Sequence, residues 1–241
     1  MTRTELSKLL AEGALQFGVT LDDDMLEKFI AYKDLLLEWN EKINLTAITD
    51  EKEIIIKHFL DSLSIVPYMP KSSASFADIG TGAGFPGIPV KIAGKCGKLL
   101  LVDSLGKRVQ FLNHTVARLS LCNTEVIHSR AEDAGRYSVL REKFDCAAAR
   151  AVAGLDVLLE YCLPLIKPGG IFIAMKGPEA GPECDNAAGA LEILGGEIME
   201  ISEITLPQSD FKRTLVIVKK NGRVPEQYPR KAGKPSKRPL K

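Results

Sequence analysis

Residues Phe76–Pro89 read FADIGTGAGFPGIP, and about twenty residues downstream Leu99–Val109 read LLLVDSLGKRV. Three alternating glycines, Gly80, Gly82 and Gly84, with a fourth at Gly87, stand between an apolar strand-like run and an apolar helix-like run. Glycine suits a backbone that turns tightly and comes close to a ligand, where a Cβ would intrude. Asp103 closes the next apolar run at the separation that lets a carboxylate reach ribose hydroxyls in a nucleotide-binding βαβ unit. The pattern predicts a ligand that carries a nucleoside.

Working outward, the alternation of strand and helix patterns continues. Strands are expected near 75–80, 98–103, 123–128, 143–148, 169–175, 197–205 and 211–219, and helices near 86–94, 105–120, 154–165 and 179–194. Short connections between alternating elements imply a mostly parallel sheet covered on both faces. Only Leu206–Asp210 separates the last two strands, so they are expected to form an antiparallel hairpin. Upstream, 3–18, 22–43 and 51–65 carry helical periodicity, and the turn-rich PYMPKSSAS at 67–75 marks a junction. The expected organisation is a helical extension over 1–70, an α/β domain over 71–220 and a tail over 221–241.

Composition narrows the function classes. With 241 residues, 45% of them hydrophobic, the chain can bury a substantial core. Five scattered cysteines without a C-x-x-C pair argue against a disulfide scaffold or a zinc site and for reduced thiols in the cytoplasm. The N-terminus lacks the apolar core of a signal peptide, and no run approaches the ~18 apolar residues of a membrane span. The net charge of +1 hides an asymmetry: Lys219–Lys241 holds nine Lys/Arg against Glu226 alone. A basic arm on an acidic body points to a polyanionic partner.

Gly82-x-Gly84-x-x-Gly87 satisfies the dinucleotide fingerprint, so NAD and FAD enter consideration. Only one mononucleotide-type half precedes the closing hairpin, which leaves no second set of strands for a nicotinamide. Asp78 stands two residues before Gly80, and the resulting D-x-G-x-G-x-G is similar to motif I of class I S-adenosylmethionine (SAM) methyltransferases, whose sheet ends in such a hairpin. Asp103 also reads as a helix N-cap, a role compatible with ligand contact. Ala131 and Glu132 follow the third strand, where an adenine ring would lie, and Arg150 follows the fourth, beside the methyl-donor position. His58 reads as a core histidine, and no Ser/His/Asp or Cys/His arrangement is legible.

Seven segments together, WNEKINLTAI (39–48), HFLDSL (58–63), ADIGTGAGFPGIPVKI (77–92), LLLVDSLGKRVQFL (99–112), RAED (130–133), AARAVAGL (148–155) and YPRKAGKPSKRPL (228–240), resemble the RsmG (GidB) family of bacterial 16S rRNA guanine-N7 methyltransferases. The resemblance implies a class I SAM-dependent methyltransferase fold, a Rossmann-like seven-stranded sheet, and SAM as cofactor. It implies a SAM site of Gly80, Phe85, Ala131, Glu132 and Arg150, to which the physical argument adds Gly82 and Asp103. It also implies 16S rRNA or a small-subunit particle as substrate, bound by a cytoplasmic monomer with Arg230, Lys231, Lys234, Lys237 and Arg238 on the phosphates. Lys176-Gly177, at the end of the fifth strand, is a further candidate contact to phosphate or guanine O6. Two other readings stay open on the residues alone: a methyltransferase for small molecules or proteins, and a nucleotide-binding regulator without turnover.

Overall fold

In the computed structural model, which describes residues 1–72, 74–178 and 180–241, seven strands form one sheet. They are β1 (Ser75–Ile79), β2 (Lys98–Asp103), β3 (Thr124–His128), β4 (Phe144–Arg150), β5 (Ile166–Lys176), β6 (Gly196–Thr205) and β7 (Lys212–Lys220). Their order is β3-β2-β1-β4-β5-β7-β6. The first five pair in parallel, whereas β7 runs antiparallel to both β5 and β6. The hairpin expected from the short Leu206–Asp210 connection is present, with β7 inserted between β5 and β6. The chain reverses its direction of travel across the sheet between β1 and β4, which opens a crevice at their carboxyl ends.

The two faces of the sheet bury alternate residues of the same strands, as a period of two demands. Phe76, Leu99, Leu101, Cys146, Ala148, Ile173 and Met175 share one core with Leu10, Phe29, Leu36, Phe59 and Leu60 of the N-terminal helices. Ala77, Leu100, Val102, Ala147, Phe172 and Val216 share the other with Leu158, Leu159, Ala190 and Leu194. The N-terminal helices therefore form one of the layers on the sheet. The two long ones are Arg3–Leu15, begun by a Thr2/Glu5 capping box, and Asp23–Ile43, begun by Asp22, whose carboxylate accepts from the Met25 amide at 2.8 Å. Asn44 ends the second helix in the left-handed conformation.

Three elements differ from the sequence pattern. The expected helix over 51–65 opens into π-helix at Ile55–Leu60, bounded by Glu51–Ile54 and Asp61–Leu63. His58 in the wide turn and Asp61 just after it are both buried and line the crevice. The helix expected over 179–194 is two helices, Gly181–Asn186 and Ala188–Leu194, separated at Ala187, with Glu179 outside the described residues. β4 continues through Arg150, one residue past the apolar run.

The tail is neither free nor uniformly extended. Val224 and Leu240 join the second core, Pro235 is buried, and Lys234–Lys237 forms a helical turn. Arg141 donates to the carbonyls of Tyr228 at 2.7 Å and Val224 at 2.8 Å, and Arg136 donates to that of Pro229 at 2.7 Å. Arg230 forks onto Glu160, whose side chain is fully buried, with contacts of 2.6–3.1 Å from Nε and Nη2, and its backbone N–H adds another at 2.6 Å. Removing the guanidinium leaves a buried carboxylate without its counter-ion. Arg230→Ala is therefore expected to cost about 3 kcal/mol in urea denaturation, whereas Lys231→Ala, on the exposed side of the same turn, should stay within about 0.5 kcal/mol.

Candidate functional site

The crevice is built from strand ends. Parallel pairing sets Asp78 beside Leu101 and Ile79 beside Val102, so the glycine loop leaves β1 next to the end of β2. Gly80 and Thr81 both donate to the Val102 carbonyl, at 2.9 and 3.1 Å. Asp103 then ties the loop down: Oδ2 accepts from the Gly82 amide at 2.9 Å and Oδ1 from the Leu105 amide at 2.9 Å. Each oxygen keeps a further acceptor site in the hydrogen-bond inventory of a carboxylate. The N-cap of the helix Gly106–Arg118 is Leu105, so Asp103 braces the loop ahead of the helix without capping it.

Asp78 holds the other side of the loop. Its Oδ2 accepts from Gly87 N at 2.7 Å and Thr81 Oγ1 at 2.6 Å, while Oδ1 is buried without a partner among the described residues. Burial raises this carboxyl to about 7, against the lowering effect of those two donors. The glycines are required in different ways. Gly80, at φ +68°, would put a Cβ 2.6 Å from Val152 Cγ2. Gly82, at φ +61°, faces open space that any side chain would enter.

Three cavities adjoin along this edge. The first, about 490 Å³, is lined by Gly80, Asp103, Arg108, Ala131, Glu132 and Tyr161, among others. A second, about 230 Å³, lies over Gly80, Gly82, Phe85, His58 and Arg150. The third, about 650 Å³, is lined by Lys57, His58, Asp61, Arg150, Lys176 and Arg213 with their neighbours. Ala151 lines all three, in the left-handed region at φ +55°, which non-glycine residues seldom adopt. The expected residues Gly80, Gly82, Phe85, Asp103, Ala131, Glu132 and Arg150 thus all lie on the walls of the first two cavities.

Arg150 sits where the second and third cavities meet. Its Nη1 donates to Asp61 Oδ2 at 2.9 Å and to the Lys57 carbonyl at 3.3 Å, and its guanidinium lies 4.8 Å from the Phe85 ring centroid. Arg213, on β7, donates through Nε to the other oxygen of Asp61 at 3.1 Å. Asp61 is only 1% exposed, and two guanidiniums offset its burial. His58 stacks on Phe85 with centroids 4.5 Å apart and faces Arg150 through Nδ1 at 3.4 Å. Arginine can only donate, so Nε2 carries the proton and donates to Thr46 Oγ1 at 2.8 Å. Burial, followed by the Arg150 charge, lowers His58 to about 3, which keeps it neutral at physiological pH.

The predicted phosphate contacts divide into two groups. Lys231, Lys234, Lys237 and Arg238 are exposed, with no ion-pair partner among the described residues. Arg230 differs from these four: its guanidinium pairs with Glu160 and anchors the tail. Lys176 reaches the third cavity with Nζ 2.6 Å from the Ala153 carbonyl and 2.7 Å from Glu183. Sequence pattern alone does not single out Asp61 or Arg213, and it marks His58 as structural. Asp61 and His58 do fall in the quoted HFLDSL segment, whereas Arg213 carries no local signal, because only the β5–β7 pairing brings it across.

A 3-2-1-4-5-7-6 sheet, a glycine loop tied to an acidic β2 end and a cavity across the switch point define the class I SAM-dependent methyltransferases. Solved structures share that fold: the Bacillus subtilis m1A22 tRNA methyltransferase TrmK aligns with TM-score 0.54 at 12% identity over 68% of this chain and 66% of that one. The [4+2]-cyclase SpnF aligns with TM-score 0.53 at 15% identity over 68% of this chain and 82% of that one. The chain belongs to the GidB family, described as rRNA small subunit methyltransferase G, whose model matches residues 25–212. The ribosomal RNA small subunit methyltransferase G of Acetivibrio thermocellus is 56% identical over 236 residues, covering 98% of this chain and 97% of that protein. Its counterpart in Alkaliphilus metalliredigens is 48% identical, covering 98% and 100%. The chain is a SAM-dependent rRNA methyltransferase, and no helix among the described residues is long and apolar enough to cross a membrane.

The neutral His58 has a consequence for stability. In the unfolded chain it binds a proton as pH falls through its ordinary 6.5, whereas in the folded chain it resists protonation down to about 3. Its contribution to stability is therefore present above pH 6.5 and lost progressively as pH falls toward 3. His58→Gln should lose less stability than wild type between pH 7 and pH 5, measured by urea midpoints at each pH.

Proposed function

We propose that the chain methylates N7 of a guanine in 16S rRNA, acting as a cytoplasmic monomer on the rRNA or on a small-subunit particle. One observation carries the reading: Arg150 and Arg213 converge on the buried carboxylate of Asp61 where the cofactor cavities open into a cavity lined by cations. Lys57, Arg150, Lys176 and Arg213 outnumber Asp61 and Glu183 on that cavity's walls, which suits a nucleotide with its phosphate.

The residues of the first two cavities fit SAM. Asp103 has acceptor capacity left for ribose hydroxyls, Ala131 and Glu132 flank the adenine end, and the open space at Gly82 is room a Cβ would fill. When bound, SAM supplies an electrophilic methyl group on a sulfonium. Guanine N7 presents an in-plane lone pair and carries no proton, so the protein needs no general base for the transfer. The task left to the chain is orientation. Asp61 fixes Arg150 and Arg213, and Phe85 and His58 pack against the Arg150 guanidinium, so the cations at the junction are held in place before RNA arrives. His58, neutral and hydrogen-bonded at both nitrogens, contributes shape and an aromatic face; Lys176, held by Ala153 and Glu183, is placed to face the base or its phosphate.

Two measurements test this reading. Borohydride reduction and aniline cleavage of 16S rRNA from cells with and without the gene should reveal one N7-methylguanine that depends on it. Finding the same pattern in both strains would overturn the proposal. Replacing Lys231, Lys234 and Lys237 together by Glu should weaken RNA binding and make its salt slope shallower by up to about one for each phosphate no longer neutralised. An unchanged slope would remove the tail from the RNA interface.

A further inference from the structure

The tail does more than project cations. Beyond the Arg230–Glu160 anchor the chain turns at Gly233, with φ +77°, and its N–H donates to Glu132 Oε1 at 2.8 Å. The Tyr161 hydroxyl lies 3.5 Å from the same oxygen, and Ser236 Oγ closes the turn onto the Gly233 carbonyl at 3.3 Å. Gly233 and Ser236 line the same 490 Å³ cavity as Gly80, Asp103 and Ala131. Pro235, buried between them, and Leu240, packed in the second core, keep the turn against the body. Burial pushes the Tyr161 phenol up to about 12, with the Glu132 charge adding to it, so this side of the cavity holds a protonated hydroxyl.

We infer that the turn Gly233–Ser236 is a cofactor-binding element, the wall that closes the adenosine end of the SAM cavity, so that SAM affinity requires the docked tail even without RNA. This rests on the reading of that cavity as the SAM site. One Glu132 oxygen is committed to the tail, which makes this residue the joint between the β3-end loop and the wall. The wall is contributed by a segment some hundred residues further along the chain than the loop it covers, and the Arg136, Arg141 and Arg230 contacts fix its position independently of any ligand.

Two experiments on the full chain without RNA decide it. On adding SAM, the backbone amides of Gly233, Lys234, Ser236 and Lys237 should exchange their hydrogens several-fold more slowly; exchange there that does not respond to saturating SAM overturns the inference. By calorimetric titration, Ser236→Trp, which crowds the cavity from the tail side, should bind SAM at least tenfold more weakly than wild type. Equal affinity in this variant overturns the inference as well. The exchange measurement uses wild-type protein, so it decides even if the tryptophan variant folds poorly. A wild-type chain that binds no SAM at all would instead sink the reading of the cavity itself.

Discussion

The hydrogen bond from the Gly82 amide to Asp103 Oδ2 joins two neighbouring parallel strand ends through the loop between them. It adds to the Gly80 and Thr81 bonds to the Val102 carbonyl and extends the tie to β2 as far as Gly82, in a loop whose residues 80, 82 and 84 all lie in the left-handed region. With it, the Asp103 carboxylate is aimed by two backbone amides and does not depend on its own rotamer preference. Asp78 makes the matching connection from the β1 side to Gly87. The close fit there explains the glycine, since a Cβ on Gly87 would come within 2.8 Å of Asp78 Oδ2. The nucleoside-binding edge is thus a rigid frame set by two carboxylates on adjacent strands.

Around that frame, the N-terminal helices act as structure and as site at once. Tyr32 donates to the Ala83 carbonyl and stacks on Phe59 with centroids 5.3 Å apart, so the loop is braced from the helical layer. The π-helical turn of that layer delivers His58 and, just after it, Asp61 to the junction of the cavities. A regular α-helix would place these side chains at a different angle, and π-turns often occur at functional positions for that reason. Asp61 then recruits one arginine from β4 and another from β7. Three parts of the chain distant in sequence meet at one carboxylate.

Much of the fold is legible in the sequence because it rests on local periodicity. Strands buried on both faces read as continuous apolar runs, LLLV and CAAA, and their alternation with helices identifies the parallel sheet without any knowledge of contacts. The glycine loop, Asp103, Ala131-Glu132 and Arg150 are legible because they follow strand ends, and in such folds strand ends face the ligand. His58 looks structural because a histidine on an apolar helix has no local mark of function. The break at Ala187 and the π-turn are equally hidden, since the helical periodicity of the sequence runs through both without a local mark.

The order of the elements, the nucleoside loop and the charge asymmetry are properties of the sequence, because each is written in spacings of a few residues. The tertiary structure alone decided what shares a site. Through the antiparallel β5–β7 pairing it brought Arg213 to Asp61, 152 residues away in sequence, and it seated the tail against Glu132 and Glu160. It also set one tail cation, Arg230, on the buried Glu160 as an anchor. The physical reason is that a buried carboxylate needs a partner wherever the fold can supply one, and which arginine answers Glu160 or Asp61 is fixed only when the chain has closed on itself.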